Sequence, residues 1–135
     1  MYNNILVPIS FDVERNTSIP LKLAKLLATP DAKVTLLHVV EQIPSYVLIY
    51  IPNDYLAEQR REMQVEIDAL SATLENATGV VIEGHAGRTI LDWTKKNKPD
   101  LIIMASHRPG MQDLLLGSTA SQVVRHASCS VHVVR

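Results

Sequence analysis

The feature that most constrains the fold of this chain is a fivefold alternation of short apolar runs with helical patterns. Runs this short and this rich in Val, Ile and Leu predict strands buried on both faces. The predicted strands are Asn4 to Ile9, Val34 to Val40, Val80 to Glu83, Leu101 to Met104 and Val131 to Val134.

Four segments between these strands have helical periodicity. The first has Pro20 in its opening turn and is ended by Pro30 and Asp31, and the others run from Asp54 to Leu74, Thr89 to Lys98 and Ala120 to His126. Strands that alternate with helices imply right-handed crossovers and a sheet covered on both faces. We therefore predict an α/β fold, a single-domain, doubly wound, five-stranded parallel sheet with four helices and a Rossmann-like architecture.

Composition excludes several classes of protein. The chain has 135 residues and a formal net charge of -1 without a basic cluster, which argues against a nucleic acid or an anionic membrane surface as the main partner. Cys129 is the only cysteine, so the chain has no internal disulfide and no zinc-like Cys and His spacing. No apolar run has the length of a membrane span, and the start lacks the marks of a signal peptide. We expect a cytoplasmic protein.

The stretch from Leu101 to Ser121 carries the clearest signal of a binding site. In an open sheet, ligands bind beyond the carboxyl ends of the strands, and here a strand leads through a polar turn into a helix. Thr119 followed by Gln122 fits a capping box, and the free amides of a helix start suit a phosphate. Arg108 adds a permanent cation. The candidate residues in this stretch are Ser106, His107, Arg108, Gly110, Gly117, Ser118 and Thr119.

Several catalytic and nucleotide-binding motifs are absent from the sequence. It contains neither GxxxxGK[ST] nor GxGxxG, which excludes an ordinary P-loop NTPase and a standard dinucleotide-binding domain, and it has no GxSxG elbow. Ser106 and His107 are adjacent on a loop with no third orienting group, so they do not form a nucleophile and base pair.

Two further features have competing interpretations. His38 lies in an apolar run, and we interpret it as a packing residue with a satisfied hydrogen bond rather than as a ligand. The segment from Glu41 to Pro52 is predicted to be a loop or flap over a site, with a short extra strand or a patch for a partner chain as the alternative.

Six segments of the chain carry a family resemblance: ILVPIS, LLHVV, GHAGRTI, DLIIMASHRP, LLLGSTAS and VVRHASCSVHVVR. Together they resemble the universal stress protein family along nearly the whole chain. The last third looks like the small bacterial subgroup whose members bind ATP. The resemblance implies the strand order 3-2-1-4-5, with ATP lying across the ends of strands one and four.

The resemblance also implies particular contacts. Val39 matches the residue whose backbone faces adenine, Pro8 and Ile9 lie beside it, and Met104 lies near the ribose and base. The family's ATP-binding members share a pattern of Gly, two residues, Gly, nine residues, then Gly and Ser or Thr.

This chain departs from that pattern in the glycine loop. Ala105 replaces the first glycine, the loop is one residue shorter, and Gly117 with Ser118 matches the closing pair. An alanine is tolerated there if its φ is negative, and we expect Gly110 to provide the close approach and Arg108 to supply charge.

The end of the first strand departs from the family as well. Ser10 stands where the family usually has an aspartate that helps to hold the nucleoside. A hydroxyl cannot accept two ribose hydroxyls as a carboxylate does. Asp12 is the nearby carboxylate that would reach back.

The resemblance implies an ATP-binding stress-response protein that acts as a nucleotide-dependent regulator or adaptor with an unknown protein partner. Hydrolysis or autophosphorylation should be slow at most, because the sequence offers no convincing general base. Mg²⁺ is expected only because ATP usually brings one. The family forms homodimers, and the apolar strand Val131 to Val134 would leave an unprotected edge in a monomer, so we predict a homodimer through it.

Two alternatives remain open. The altered glycine pattern and Ser10 would also fit a nucleotide-free structural dimer of the same fold. The second alternative is an enzyme of the wider adenine-nucleotide α-hydrolase-like group or a flavin carrier. No motif in the sequence supports this alternative.

Overall fold

The computed structural model describes residues 1–11, 17–106 and 116–135. In this part of the chain five strands and five helices follow one another as β1 (Tyr2–Pro8), α1 (Ser18–Leu27), β2 (Ala28–Val40), α2 (Ser45–Leu48), α3 (Asn53–Ser71), β3 (Ala77–Glu83), α4 (Ala86–Asn97), β4 (Leu101–Ala105), α5 (Ser118–His126) and β5 (Ser130–Val134). The strands form one sheet in the order β3-β2-β1-β4-β5, and each neighbouring pair is parallel. The predicted doubly wound sheet and its strand order are confirmed.

Helices cover both faces of the sheet because successive side chains of a strand point to opposite faces. Ile5 of β1 belongs to a buried cluster that includes Ile67 of α3, and α1 packs on the same face. Leu6, the next residue, belongs to a second cluster that includes Ile90 of α4 and Val123 of α5. The sheet therefore has one core on each face.

A fifth helix replaces part of the predicted loop, so the prediction of four helices was one short. The short helix α2 is a single turn, held by hydrogen bonds such as that from Val47 N–H to Pro44 O at 2.9 Å. Tyr46 and Tyr50 in this segment are exposed. One turn of helix shows no periodicity in a sequence, which is why the pattern did not indicate it.

The prediction that Pro30 and Asp31 end the first helix was wrong. Helix α1 already ends at Leu27, and both residues lie in β2. A proline fits there because the pairing with β1 is irregular: Tyr2 pairs with Ala28, but Asn4 pairs with Lys33. Pro30 lies among the residues of β2 that have no partner in this register shift, where an amide donor is not required.

The third strand begins at Ala77, three residues before the predicted Val80, so Gly79 lies inside β3. A Cβ at this position would come 2.7 Å from Ile67 Cγ2. The glycine therefore allows α3 to pack closely on β3, and its role is one of space rather than of chain reversal.

Candidate functional site

A cavity of about 610 Å³ opens at the carboxyl ends of β1, β2 and β4 and reaches the start of α5. The cavity lies where the strand order reverses, because β2 and β3 are added on one side of β1 while β4 and β5 are added on the other. In open α/β sheets this crevice is the usual position of a ligand. We call it the strand-end cavity.

The strand-end cavity brings together every predicted site residue that the structure describes. These ten are Pro8, Ile9, Ser10, Val39, Met104, Ala105, Ser106, Gly117, Ser118 and Thr119. The other predicted site residues, Asp12, His107, Arg108 and Gly110, lie outside the described residues.

The cavity has ten further lining residues that were not among the predicted site residues: Thr17, Pro20, Leu37, His38, Val40, Glu41, Met63, Ala86, Ile90 and Ala120. Thr17 could have been found, because it lies at the helix start that follows β1 and so faces the same edge of the sheet. Met63 lies in the middle of α3, and its position depends on long-range packing that leaves no local signal.

The start of α5 forms the polar side of the cavity. Gly117 is the N-cap residue, with φ −60° and ψ 159°, and no side chain caps the helix among the described residues. The first-turn amides of Ser118, Thr119 and Ala120 cannot find partners within the helix, and they lie at the positive end of its dipole. This helix start therefore presents backbone donors to the cavity.

The predicted capping box was wrong in its detail. The cap must be the residue with extended backbone, which is Gly117, and Thr119 already lies inside α5. Gln122 also has another neighbour, because its Oε1 lies where a Cβ on Gly87 of α4 would be. The hydroxyl of Thr119 is consequently free of a capping role and lines the cavity.

Ser106 fixes the junction between β4 and α5. Its amide donates to Val134 O of β5 at 2.8 Å, and its carbonyl accepts from Gly117 N–H at 2.7 Å. The residue is only 2% exposed. These two bonds tie the helix start to the edge of the sheet and so set the direction of its amides.

Ala105 stands where the family pattern has its first glycine, and an alanine is tolerated there only if its φ is negative. The described non-glycine residues with positive φ are Asn76 and Lys98. Ala105, the last residue of β4, therefore has the negative φ that an alanine adopts without strain.

The β1 and β2 side of the cavity is mainly apolar. Ile9 and Met104 are buried, and Val39 packs against the core on the α4 and α5 face. His38 adds a polar group to this side, with its Nδ1 atom 2.8 Å from Ile9 O. The interpretation of His38 as hydrogen-bonded fits this contact, but the residue also lines the cavity.

The charges of the described lining are few. Glu41 is the one acidic side chain among these residues, and no lysine or arginine occurs among them. Attraction for an anion in the described part of the cavity therefore comes from backbone amides and from the dipole of α5. No group of three or more His, Cys, Asp or Glu within residues 1–11, 17–106 and 116–135 could hold a metal ion.

Cys129 is not part of this site. Burial raises the pKa of its thiol, with a smaller contribution from the negative charge of Asp100, while a backbone hydrogen bond acts in the opposite direction. The side chain is partly buried against the core cluster on the α4 and α5 face, and it is not among the cavity residues. A thiol with a raised pKa is a poor nucleophile.

The fold and the cavity define a Rossmann-like α/β protein with a ligand site at the switch point of its sheet. The universal stress protein family model matches residues 1–135. The chain belongs to the universal stress protein family. None of the helices in the described part of the chain is both long and apolar enough to cross a membrane.

Known relatives match along the full chain. Universal stress protein A homolog 2 of Coxiella burnetii is 36% identical over 141 residues, which cover 99% of this chain and 95% of the relative. The solved structure of hypothetical protein MJ0577 superimposes with a TM-score of 0.82 at 26% identity, covering 99% of this chain and 96% of that one. Universal stress protein UspA from Lactobacillus plantarum gives a TM-score of 0.76 at 27% identity, with 99% and 98% covered.

Two more distant structures share the fold and contain nucleotides. One is a universal stress protein in complex with cAMP, with a TM-score of 0.63 at 18% identity over 99% of this chain and 97% of that one. The other is a family member from Arabidopsis thaliana with AMP bound, with a TM-score of 0.63 at 17% identity over 98% and 90%.

Proposed function

We propose that this protein binds ATP in the strand-end cavity and acts in the stress response as a nucleotide-dependent regulator or adaptor for a protein partner. The observation that carries the proposal is the division of the cavity. Apolar strand ends suited to a base lie on one side, and the uncapped start of α5, suited to phosphates, lies on the other.

The size of the cavity supports this proposal. Its volume of about 610 Å³ lies within the range of roughly 300 to 1,000 Å³ that small-molecule sites occupy. The structures with cAMP and AMP indicate that the family fold accommodates an adenine nucleotide. ATP is the ligand proposed here because the last third of the chain resembles the ATP-binding subgroup of the family and the start of α5 offers several backbone amides for phosphate oxygens.

The proposed arrangement gives each residue a part. Val39 and Met104 flank the base with Pro8 and Ile9 beside it, and Ser10 donates to or accepts from the ribose. Ser118 and Thr119 contact the phosphates through amides and hydroxyls. Ala105, Ser106 and Gly117 form the turn, and the proposal extends to Asp12, His107, Arg108 and Gly110 from the family resemblance alone.

The protein is proposed to be a regulator with at most slow ATP hydrolysis or autophosphorylation. Among the described lining residues the titratable side chains are His38 and Glu41. His38 is engaged with Ile9 O, and efficient hydrolysis needs a base that positions the attacking water. Any Mg²⁺ would arrive with the phosphates of ATP. We place the protein in the cytoplasm.

We also propose a homodimer through β5. This strand is at the edge of the sheet, where β4 is its partner within the described chain. An apolar edge strand is a template for pairing with another chain. The same strand of a second copy would pair with the backbone N–H and C=O groups on the open side of β5.

The experiment that tests ATP binding is direct. Purified protein is denatured with acid and the released nucleotide is identified by chromatography, and nucleotide-free protein is then titrated with ATP while thermal unfolding is followed. We expect ATP in the extract, or a stabilisation of about 2.7 kcal/mol at a hundredfold excess over the dissociation constant. Neither result would be seen for a nucleotide-free structural dimer, the alternative favoured by Ser10 and Ala105.

A further inference from the structure

His38 lies where β2 and the end of β1 meet the strand-end cavity. Its Nδ1 atom is 2.8 Å from the carbonyl oxygen of Ile9. A carbonyl oxygen can only accept a hydrogen bond, so Nδ1 carries a proton and donates it. In a neutral imidazole the other nitrogen, Nε2, is then an acceptor. The backbone of Ile9 therefore selects the tautomer of His38.

The backbone of Ile9 is held by β2 on both sides. Its N–H donates to Leu37 O at 2.8 Å, and its carbonyl accepts from His38. Since β1 ends at Pro8, these bonds continue the restraint one residue beyond the strand. Ile9 is 5% exposed, so its carbonyl would have difficulty finding water as a substitute partner.

The imidazole makes a second contact with the same segment. The ring of Phe11 packs against it, with ring centroids 4.6 Å apart and planes inclined by 55°. Phe11 also packs against the buried cluster on the α1 and α3 face. One side chain of β2 thus holds the chain on both sides of Ser10, the residue that lines the cavity between Ile9 and Phe11.

We propose that His38 is a positioning residue of the strand-end cavity, a role that rests on the nucleotide binding proposed above. Its Nδ1–H fixes the carbonyl of Ile9, and this contact with the Phe11 packing sets the place of Ser10 beside the ligand. The neighbouring positions Leu36 and Leu37 are apolar and buried, so packing alone would be served by leucine at position 38. The imidazole adds a directed donor that leucine lacks.

Three substitutions separate the effect of the Nδ1–H donor from the effect of the ring's size. His38→Asn carries an amide donor near the place of Nδ1, His38→Gln carries one near the place of Nε2, and His38→Leu carries none. We expect His38→Asn to bind ATP within about threefold of wild type, and the other two to bind about tenfold more weakly. The control is His126→Gln, at the exposed end of α5, which should leave the affinity unchanged.

Two further measurements need no nucleotide. Nitrogen-15 spectra recorded at about pH 8.5, where an ordinary imidazole is neutral, should place the proton of His38 on Nδ1. Hydrogen exchange of the Ile9 amide should be slow in wild type and in His38→Asn, and faster in His38→Leu. The nitrogen-15 measurement uses the wild-type protein, so it tests the proposal even if the leucine variant folds poorly.

The outcomes divide clearly. A proton on Nε2, an asparagine variant as weak as the glutamine variant, or a folded leucine variant within about twofold of wild-type affinity would each overturn the positioning role. Wild-type protein that binds no ATP would instead overturn the proposed function. In that case the nitrogen-15 spectra and the hydrogen exchange of the Ile9 amide still decide whether His38 holds the backbone just after β1.

Discussion

Ser10 is the residue at which this chain departs from the family pattern on the proposed nucleoside side of the cavity. A serine hydroxyl forms hydrogen bonds, but a carboxylate can accept from both ribose hydroxyls and makes stronger, charge-assisted bonds. The position lies between Ile9 and Phe11, both held by His38, so a side chain there is presented on a fixed backbone.

Replacing Ser10 with aspartate should strengthen ATP binding. We expect Ser10→Asp to lower the dissociation constant about tenfold, as measured by calorimetric titration, and the gain to shrink with 2′-deoxy-ATP. Ser45→Asp, which adds the same charge at an exposed position outside the cavity lining, is the matched control. Equal affinities for Ser10→Asp and wild type would show that this side chain does not face the ribose.

At the scale of elements, α5 carries the proposed phosphate contact through its backbone. Ser118 is the first residue of the helix, where proline is well tolerated because the lost amide has no helical partner. Gly117 before it has ψ 159°, which suits a residue that precedes proline. A single amide can therefore be removed without breaking the helix.

Comparison of Ser118→Pro with Ser118→Ala isolates that amide, since both lack the hydroxyl and only proline lacks the N–H. We expect the proline variant to bind ATP about tenfold more weakly than the alanine variant, while both keep the affinity for adenosine. Fluorescence competition with the two ligands measures this. Equal ATP affinities for the two variants would exclude a contact between the Ser118 amide and the phosphates.

The packing of α3 on β3 depends on Gly79. A methyl group there would come 2.7 Å from Ile67 Cγ2 and 3.1 Å from the Ile67 carbonyl carbon. Gly79→Ala should lower the free energy of unfolding by about 1–3 kcal/mol, measured by urea denaturation. Thr78→Ala, at an exposed neighbouring position, is the control.

A double-mutant cycle tests the contact itself. Ile67→Ala should lower the free energy of unfolding less in the Gly79→Ala background than in wild type, and strict additivity would contradict the close contact.

The same elements show what the sequence could and could not predict. Alternating apolar runs and helical patterns identified every strand and the four longer helices, because burial on both faces leaves a strong signal. Pro30 was misread as the end of the first helix, and the third strand was predicted to begin at Val80 rather than at Ala77, since these places depend on an irregular strand pairing and on the approach of α3 to Gly79. The rule that ligands bind beyond the carboxyl ends of the strands identified the cavity. It did not identify Met63 and His38, which line the cavity because of tertiary packing.

At the scale of the whole molecule, the open edge of β5 determines the expected assembly. The carbonyl of Val134 points towards β4, where it accepts from Ser106 N–H. Because backbone groups of successive residues alternate in direction along a strand, the N–H of Val133 points away from β4. That amide therefore faces the edge at which we propose that a second copy pairs.

Val133→Pro should convert the proposed dimer to a monomer, while Val133→Ala, which keeps the amide, should remain dimeric. Light scattering at micromolar concentration distinguishes the two. A monomeric wild type, or a dimeric proline variant, would contradict pairing through β5.

The central claim is that a nucleotide lies between the strand ends and the start of α5. The most direct measurement is a titration of isotope-labelled, nucleotide-free protein with ATP, with amide resonances followed by NMR. We predict saturable shifts at Ser118, Thr119 and Val39, with small changes on the opposite edge of the sheet. No shifts at millimolar ATP, or shifts confined to residues outside the strand-end cavity, would contradict the account.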